Sequence, residues 1–121
     1  MAALYIMDFY SARLLFIILV AAGVGRKRNH YDESVIVFRA NDFSHAFKRA
    51  LELGRARETD YKNDKGQRVR WVLVEIRNLD CIGPKVDGKE VASVLHYRTG
   101  RQRVPPGRIF YPERSKPEGS F

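Results

Sequence analysis

An unbroken apolar run, Leu14-Leu15-Phe16-Ile17-Ile18-Leu19-Val20-Ala21-Ala22, interrupts an otherwise charged and basic chain. Three structures could absorb it: a membrane or signal segment, a buried helix, or a strand covered on both faces. A membrane-spanning helix needs roughly 20 apolar residues. This run ends at Gly23 and meets Gly25-Arg26-Lys27-Arg28 at once, with Asp8 and Arg13 on its other side, so no membrane span is expected. A signal peptide carries about 7–15 apolar residues followed by small ones, and Ala21-Ala22-Gly23 could pass for its cleavage site. Against export, the leader holds Asp8, one Arg13 and the aromatics Tyr5, Phe9 and Tyr10. The lone Cys81 also lacks the partner usual in small secreted domains. Ile, Val and Phe favour strands, and such a run closed by a glycine-containing turn suits a strand buried on both faces. The expectation is a cytoplasmic protein with this strand at the centre of a sheet. Secretion through a signal peptide is the alternative.

At 121 residues the chain suffices for one domain with a modest core. Its net charge of +8 is unevenly placed: residues 98–121 hold six Lys/Arg against two Asp/Glu. That segment also carries Pro105, Pro106, Pro112 and Pro117, which exclude a long helix or a central strand. It reads as a basic, extended tail whose single apolar anchor, Ile109-Phe110-Tyr111, is expected to dock on the domain. The division is an N-terminal extension at 1–6, with Met7 an alternative start, one α+β domain at 7–97 and the tail at 98–121.

Within 7–97 the pattern predicts β-β-α-β-β. The first strand covers about 9–22 and the second Ser34–Ala40. Asn41-Asp42 then supplies a helix N-cap ahead of Phe43, Ala46, Phe47, Ala50, Leu51 and Gly54, an amphipathic spacing. His45 stands where a capping-box glutamate would help, leaving the box incomplete. Asn63-Asp64-Lys65-Gly66 signals a turn, Val69–Leu79 the third strand, and Val86-Asp87-Gly88-Lys89 a turn into a fourth strand at Glu90–Tyr97. The simplest connection is a two-layer, antiparallel-dominated sheet of order 2-1-3-4 with one helix on one face.

Side chains alternate across a strand, and here both alternating sets are apolar. Val72, Val74 and Ile76 oppose Val69, Trp71 and Leu73, while Leu14, Phe16 and Ile18 oppose Leu15, Ile17 and Leu19. One helix covers one face only. An exposed patch of this size exceeds what soluble monomers usually tolerate, and covering it would contribute several kcal/mol at ~25 cal/mol per Å². The face expected to be open carries Leu15, Ile17, Leu19, Val35, Val37, Trp71 and Leu73. A second copy of the chain is its first expected cover, the C-terminal tail the second, and another protein or an apolar ligand the third.

The ordered features resemble a small bacterial family, domain of unknown function 4288. The matching segments are Phe9-Tyr10-Ser11-Ala12-Arg13-Leu14-Leu15-Phe16, His30-Tyr31-Asp32-Glu33, Ala46 and Ala50 ahead of Leu53-Gly54, and Glu58, Tyr61 and Asn63. Val69-Arg70-Trp71 and Asp87-Gly88-Lys89-Glu90-Val91 with Ser93 complete the match over about 7–97. The resemblance implies the fold and no activity. Polar residues at the matching positions, His30, Asp32, Glu33, Glu58, Asn63, Asp87 and Glu90, are the candidate surface site. A His beside carboxylates is metal or acid–base chemistry, yet no second His or Cys cluster completes a metal set. No phosphate loop, nucleophile elbow or paired catalytic carboxylates are present. The expectation is therefore no catalytic residue, no metal and no cofactor. Trp71 reads as a core or interface anchor. A non-catalytic, homodimeric interaction module with an unidentified protein partner is expected. The alternative is a nucleic-acid-binding accessory protein that uses Arg26, Lys27, Arg28, Arg101, Arg103 and Arg108 along a phosphate backbone.

Overall fold

The structure, a computed structural model, describes residues 7–21, 29–96 and 103–119. Its elements are β1 (Asp8–Val20), β2 (His30–Ala40), α1 (Phe43–Ala56), β3 (Thr59–Lys62), β4 (Arg68–Gly83) and a 3-10 turn at Pro112–Arg114. The strands form one sheet of order β2-β1-β4-β3, and every neighbouring pair is antiparallel. The fold is α+β, with α1 packed over β4, β2 and β1. Leu14–Val20 of the apolar run lie in β1, the strand flanked on both sides in the sheet, where apolar residues are needed on both faces.

The fourth strand is not where the sequence pattern put it. Residues 90–96 form no strand among the described residues, and the edge position goes instead to β3, four residues directly after the helix. The expected order 2-1-3-4 thus becomes 2-1-4-3. Locality explains the outcome, because β3 needs only a short hairpin to reach β4. Asn63 closes that hairpin: its Oδ1 accepts from Lys65 N at 3.0 Å and Gln67 N at 2.9 Å. Gly66 supplies the left-handed residue, φ +73°. The Val86–Lys89 turn also forms, with Lys89 N donating to Val86 O at 3.0 Å, but it redirects the chain without opening a strand.

β1 and β2 pair in strict register from Asp8↔Ala40 to Ile18↔His30. β4 does not follow β1 so evenly. Its register slips three times, leaving Val74, Arg77 and Ile82 as extra residues opposite an unbroken β1. Each β-bulge changes which residues share a face. The residues of β4 packed on the core are therefore Val69, Trp71, Leu73, Ile76 and Leu79. Trp71 and Leu73 lie under the helix, not on the open face, and Ile76 joins them, parting from Val72 and Val74. A one-residue slip of register moves a whole set of side chains across the sheet, and the bulges of β4 supply it.

The core contains Tyr10, Ala12, Leu14, Phe16, Phe38 and Ala40 from the sheet, with Ala46 and Ala50 from α1. Small residues face the sheet because the helix sits close: a Cβ added at Gly54 would lie 2.8 Å from Leu73 Cδ2. Phe43 and Phe47, expected on that buried stripe, are exposed instead. At the N-terminus of α1, Asp42 Oδ1 accepts from His45 N at 2.8 Å. His45 Nδ1 accepts from Asn41 N at 3.0 Å. The capping box that seemed incomplete is closed by the imidazole, one residue further out than a glutamate would reach.

Candidate functional site

Two regions combine shape with chemistry. The first is a cleft of about 440 Å³ lined by Phe16, Asp32, Arg57, Thr59, Tyr61 and Trp71. Register places it on the helix-bearing face, past the last turn of α1. Phe16 stands opposite Asp32 of β2, Ile18 opposite Trp71 of β4, and Trp71 in turn opposite Thr59 of β3. Tyr61 is two residues beyond Thr59 and so shares its face. Arg57, the C-cap of α1, closes the rim. The lining is thus three aromatic side chains, one of them the phenol of Tyr61, a threonine hydroxyl and two opposite charges. Among the described residues, neither Asp32 nor Arg57 enters an ion pair.

The second region is the face away from the helix. Leu15, Ile17, Leu19, Val35 and Val37 lie there, as the strict β1–β2 alternation requires. Its middle holds a hollow of about 500 Å³ lined by Leu15, Tyr31, Glu33, Val74, Glu75 and Arg77. Glu33 and Glu75 both stand opposite Leu15, on its two sides. Arg77 Nε lies 3.2 Å from Glu33 Oε1 and 3.7 Å from Glu75 Oε1, so its side chain bridges across β1. That bridge accounts for Leu15 being only 9 % exposed on a face without a helix. Towards the other end, the extended segment after β4 crosses the sheet. Arg13 Nη2 donates to Ser93 O at 2.9 Å, and Val91, Ala92 and Ser93 line a small recess with Ser11, Arg13 and Val35.

The residues singled out from the sequence do not assemble into one site. His30 and Asp32 share the helix side of β2, but Glu33 points to the opposite face and pairs with Arg77. Glu58 Oε2 accepts from Leu73 N at 3.0 Å, holding the β4 edge just before β3 begins. Asn63 and Asp87 belong to turns, and Glu90 lines a shallow recess with Cys81 and Ile82. Among the described residues no group of three or more His, Cys, Asp or Glu could hold a metal ion. No described helix is long and apolar enough to cross a membrane.

Arg26, Lys27, Arg28 and Arg101 lie outside the described residues. Arg103 and Arg108 are exposed, and the Arg108 guanidinium sits 5.7 Å from the centre of the Phe110 ring. The expected apolar anchor is not docked: Ile109 is 73 % exposed, and Phe110 and Tyr111 are exposed with it. The aromatics instead associate locally with Arg108 and Arg114, because prolines hold this stretch extended.

Sequence reasoning missed Arg57, Thr59 and Tyr61 as cleft residues, and Arg77 as a bridge. Thr59 and Tyr61 had a signal: Thr-Asp-Tyr-Lys directly ahead of an Asn-Asp-Lys-Gly turn reads as a hairpin arm. Arg77 had none, because its reach across β1 depends on the bulges. No curated protein and no solved structure matches the chain. The family model for a domain of unknown function, DUF4288, matches residues 9–93. That span takes in β1 through the Ser93 carbonyl that holds Arg13, and the chain belongs to the DUF4288 family.

Proposed function

We propose that the protein is a non-catalytic interaction module that pairs with a second copy of itself through the open face of its sheet. One observation carries the reading: although the Val91–Ser93 segment crosses part of it, that face keeps Leu19, Tyr31, Val35, Val37 and Val74 exposed. Val35 and Val37 are 40 % and 42 % exposed, although both belong to a regular paired strand. Exposed apolar surface of this kind marks association sites. Removing it from water contributes at ~25 cal/mol per Å². The Glu33–Arg77–Glu75 group lies between the two ends of this surface and adds paired charges to it.

A two-fold contact must be self-complementary, and this surface offers both charge signs at its middle, in the Glu33–Arg77–Glu75 group, with apolar residues on either side. Multi-angle light scattering on the full chain tests the reading. A dimer is expected, and Val35→Lys with Val37→Glu should return it to monomer without loss of helical or sheet signal. A monodisperse monomer from a chain ending at Tyr97, with the full chain also monomeric, would overturn it.

A further inference from the structure

The cleft past the end of α1 has no part in that pairing, since it opens on the other face of the sheet. We propose that it binds a small zwitterion with a planar, apolar body, of the kind represented by a free aromatic amino acid. Three features point there. Its walls are Phe16, Tyr61 and Trp71, which favour a flat ring through stacking and edge contacts. Its charged groups are one carboxylate and one guanidinium, on different elements, β2 and the end of α1. Its volume, about 440 Å³, falls within the range of small-molecule sites.

The charge pattern selects the ligand class. A purely cationic ring would satisfy Asp32 and meet Arg57, and a purely anionic one would do the reverse. A molecule with both charges and no net charge matches each side. Asp32 accepts from an ammonium group, and Arg57 presents the planar fork that suits a carboxylate. The spacing also fits. β2 and β4 are two strand positions apart, about 10 Å, and Trp71 lies two residues along from the level of Asp32, so the two flank a body the size of one ring and a short side chain. Thr59, opposite Trp71 in the hairpin, adds a hydroxyl that can donate or accept. The backbone N of Arg57 donates to Gly54 O at 3.1 Å, while its side chain lines the cleft and makes no ion pair among the described residues.

Trp71 is the single tryptophan of the chain, so intrinsic fluorescence reports on this cleft without labelling. Three probes share one phenyl ring and differ only in charge: L-phenylalanine, phenethylamine and 3-phenylpropionate. L-phenylalanine is expected to change Trp71 emission saturably and to bind about tenfold more tightly than either singly charged probe, the effect of one charged hydrogen bond. Asp32→Asn should erase the preference over 3-phenylpropionate alone, and Arg57→Gln the preference over phenethylamine alone. Arg57 is exposed and Asp32 half-buried, and circular dichroism of each variant verifies the fold. Emission that does not saturate with any probe, or equal affinity for all three, would overturn the proposal. So would an unchanged preference in both variants. The readout is independent of oligomeric state, because a monomer keeps the whole cleft.

Discussion

Gly54 lies two residues before the end of α1, where a glycine would ordinarily be a poor choice by about 1 kcal/mol against alanine. Its place is explained by Leu73, whose Cδ2 and Cδ1 would stand 2.8 and 3.2 Å from a Cβ there. The helix can lie this low on the sheet only because that position is bare. Gly54→Val should therefore destabilise the fold by about 1–3 kcal/mol in urea titrations, the usual cost of overpacking. Combining it with Leu73→Ala should give less than the sum of the two single effects, because the added methyls occupy the space Leu73 vacates. Strict additivity would mean that the close approach is not what selects glycine. Ser34 presents a different case: its Oγ is buried without a hydrogen-bond partner among the described residues. A hydroxyl in that state stabilises nothing.

At the scale of elements, the β3–β4 hairpin is the added feature, and its pairing is electrostatic as well as main-chain. Arg68 Nε donates to Asp60 Oδ1 at 2.9 Å while its Nη2 reaches Oδ2, a two-pronged contact. The hydrogen bond from Arg68 holds the Asp60 carboxyl below the ordinary aspartate range. A carboxyl depressed on folding contributes stability above its unfolded pKa, about 3.9, and loses it as pH falls through the folded value. Acidification from neutral pH should thus lower the urea midpoint of the native chain more than that of Asp60→Asn, with the difference developing below about pH 4. Parallel curves for the two would remove the pair from the hairpin's stability.

How far these elements could be read in advance depended on how local their determinants are. β1, β2, α1 and the Asn63–Gly66 turn declare themselves through runs, caps and turn residues that act within a few positions. The face assignment of Trp71 and Leu73 depended on register between strands far apart in the chain, which alternation alone leaves open by one residue. Only part of the candidate site was legible for the same reason. Asp32 stood out as a polar residue near His30, but its companions Arg57, Tyr61 and Trp71 meet it only through the order of the strands. Arg77 reaches Glu33 through a bulge that no pattern in Val72–Leu79 announces.

For the whole molecule, the tail and the domain behave as separate chemistries. Ile109, Phe110 and Tyr111 are exposed, and the Pro112–Arg114 turn packs against none of the strands or the helix among the described residues. A chain ending at Tyr97 should therefore keep the unfolding free energy of the full chain to within about 0.5 kcal/mol, the usual spread for changes away from packed surface. A loss of several kcal/mol in chemical denaturation would place the tail on the domain after all. The uneven β4 has a consequence for descent rather than stability. Where one strand already carries surplus residues at Val74, Arg77 and Ile82 against a partner that carries none, losing one of them straightens the backbone locally and spares the neighbouring ladder. Relatives of this chain should accordingly differ in length by single residues at those three places, while the stretch facing them, Phe9 to Phe16, admits neither gain nor loss.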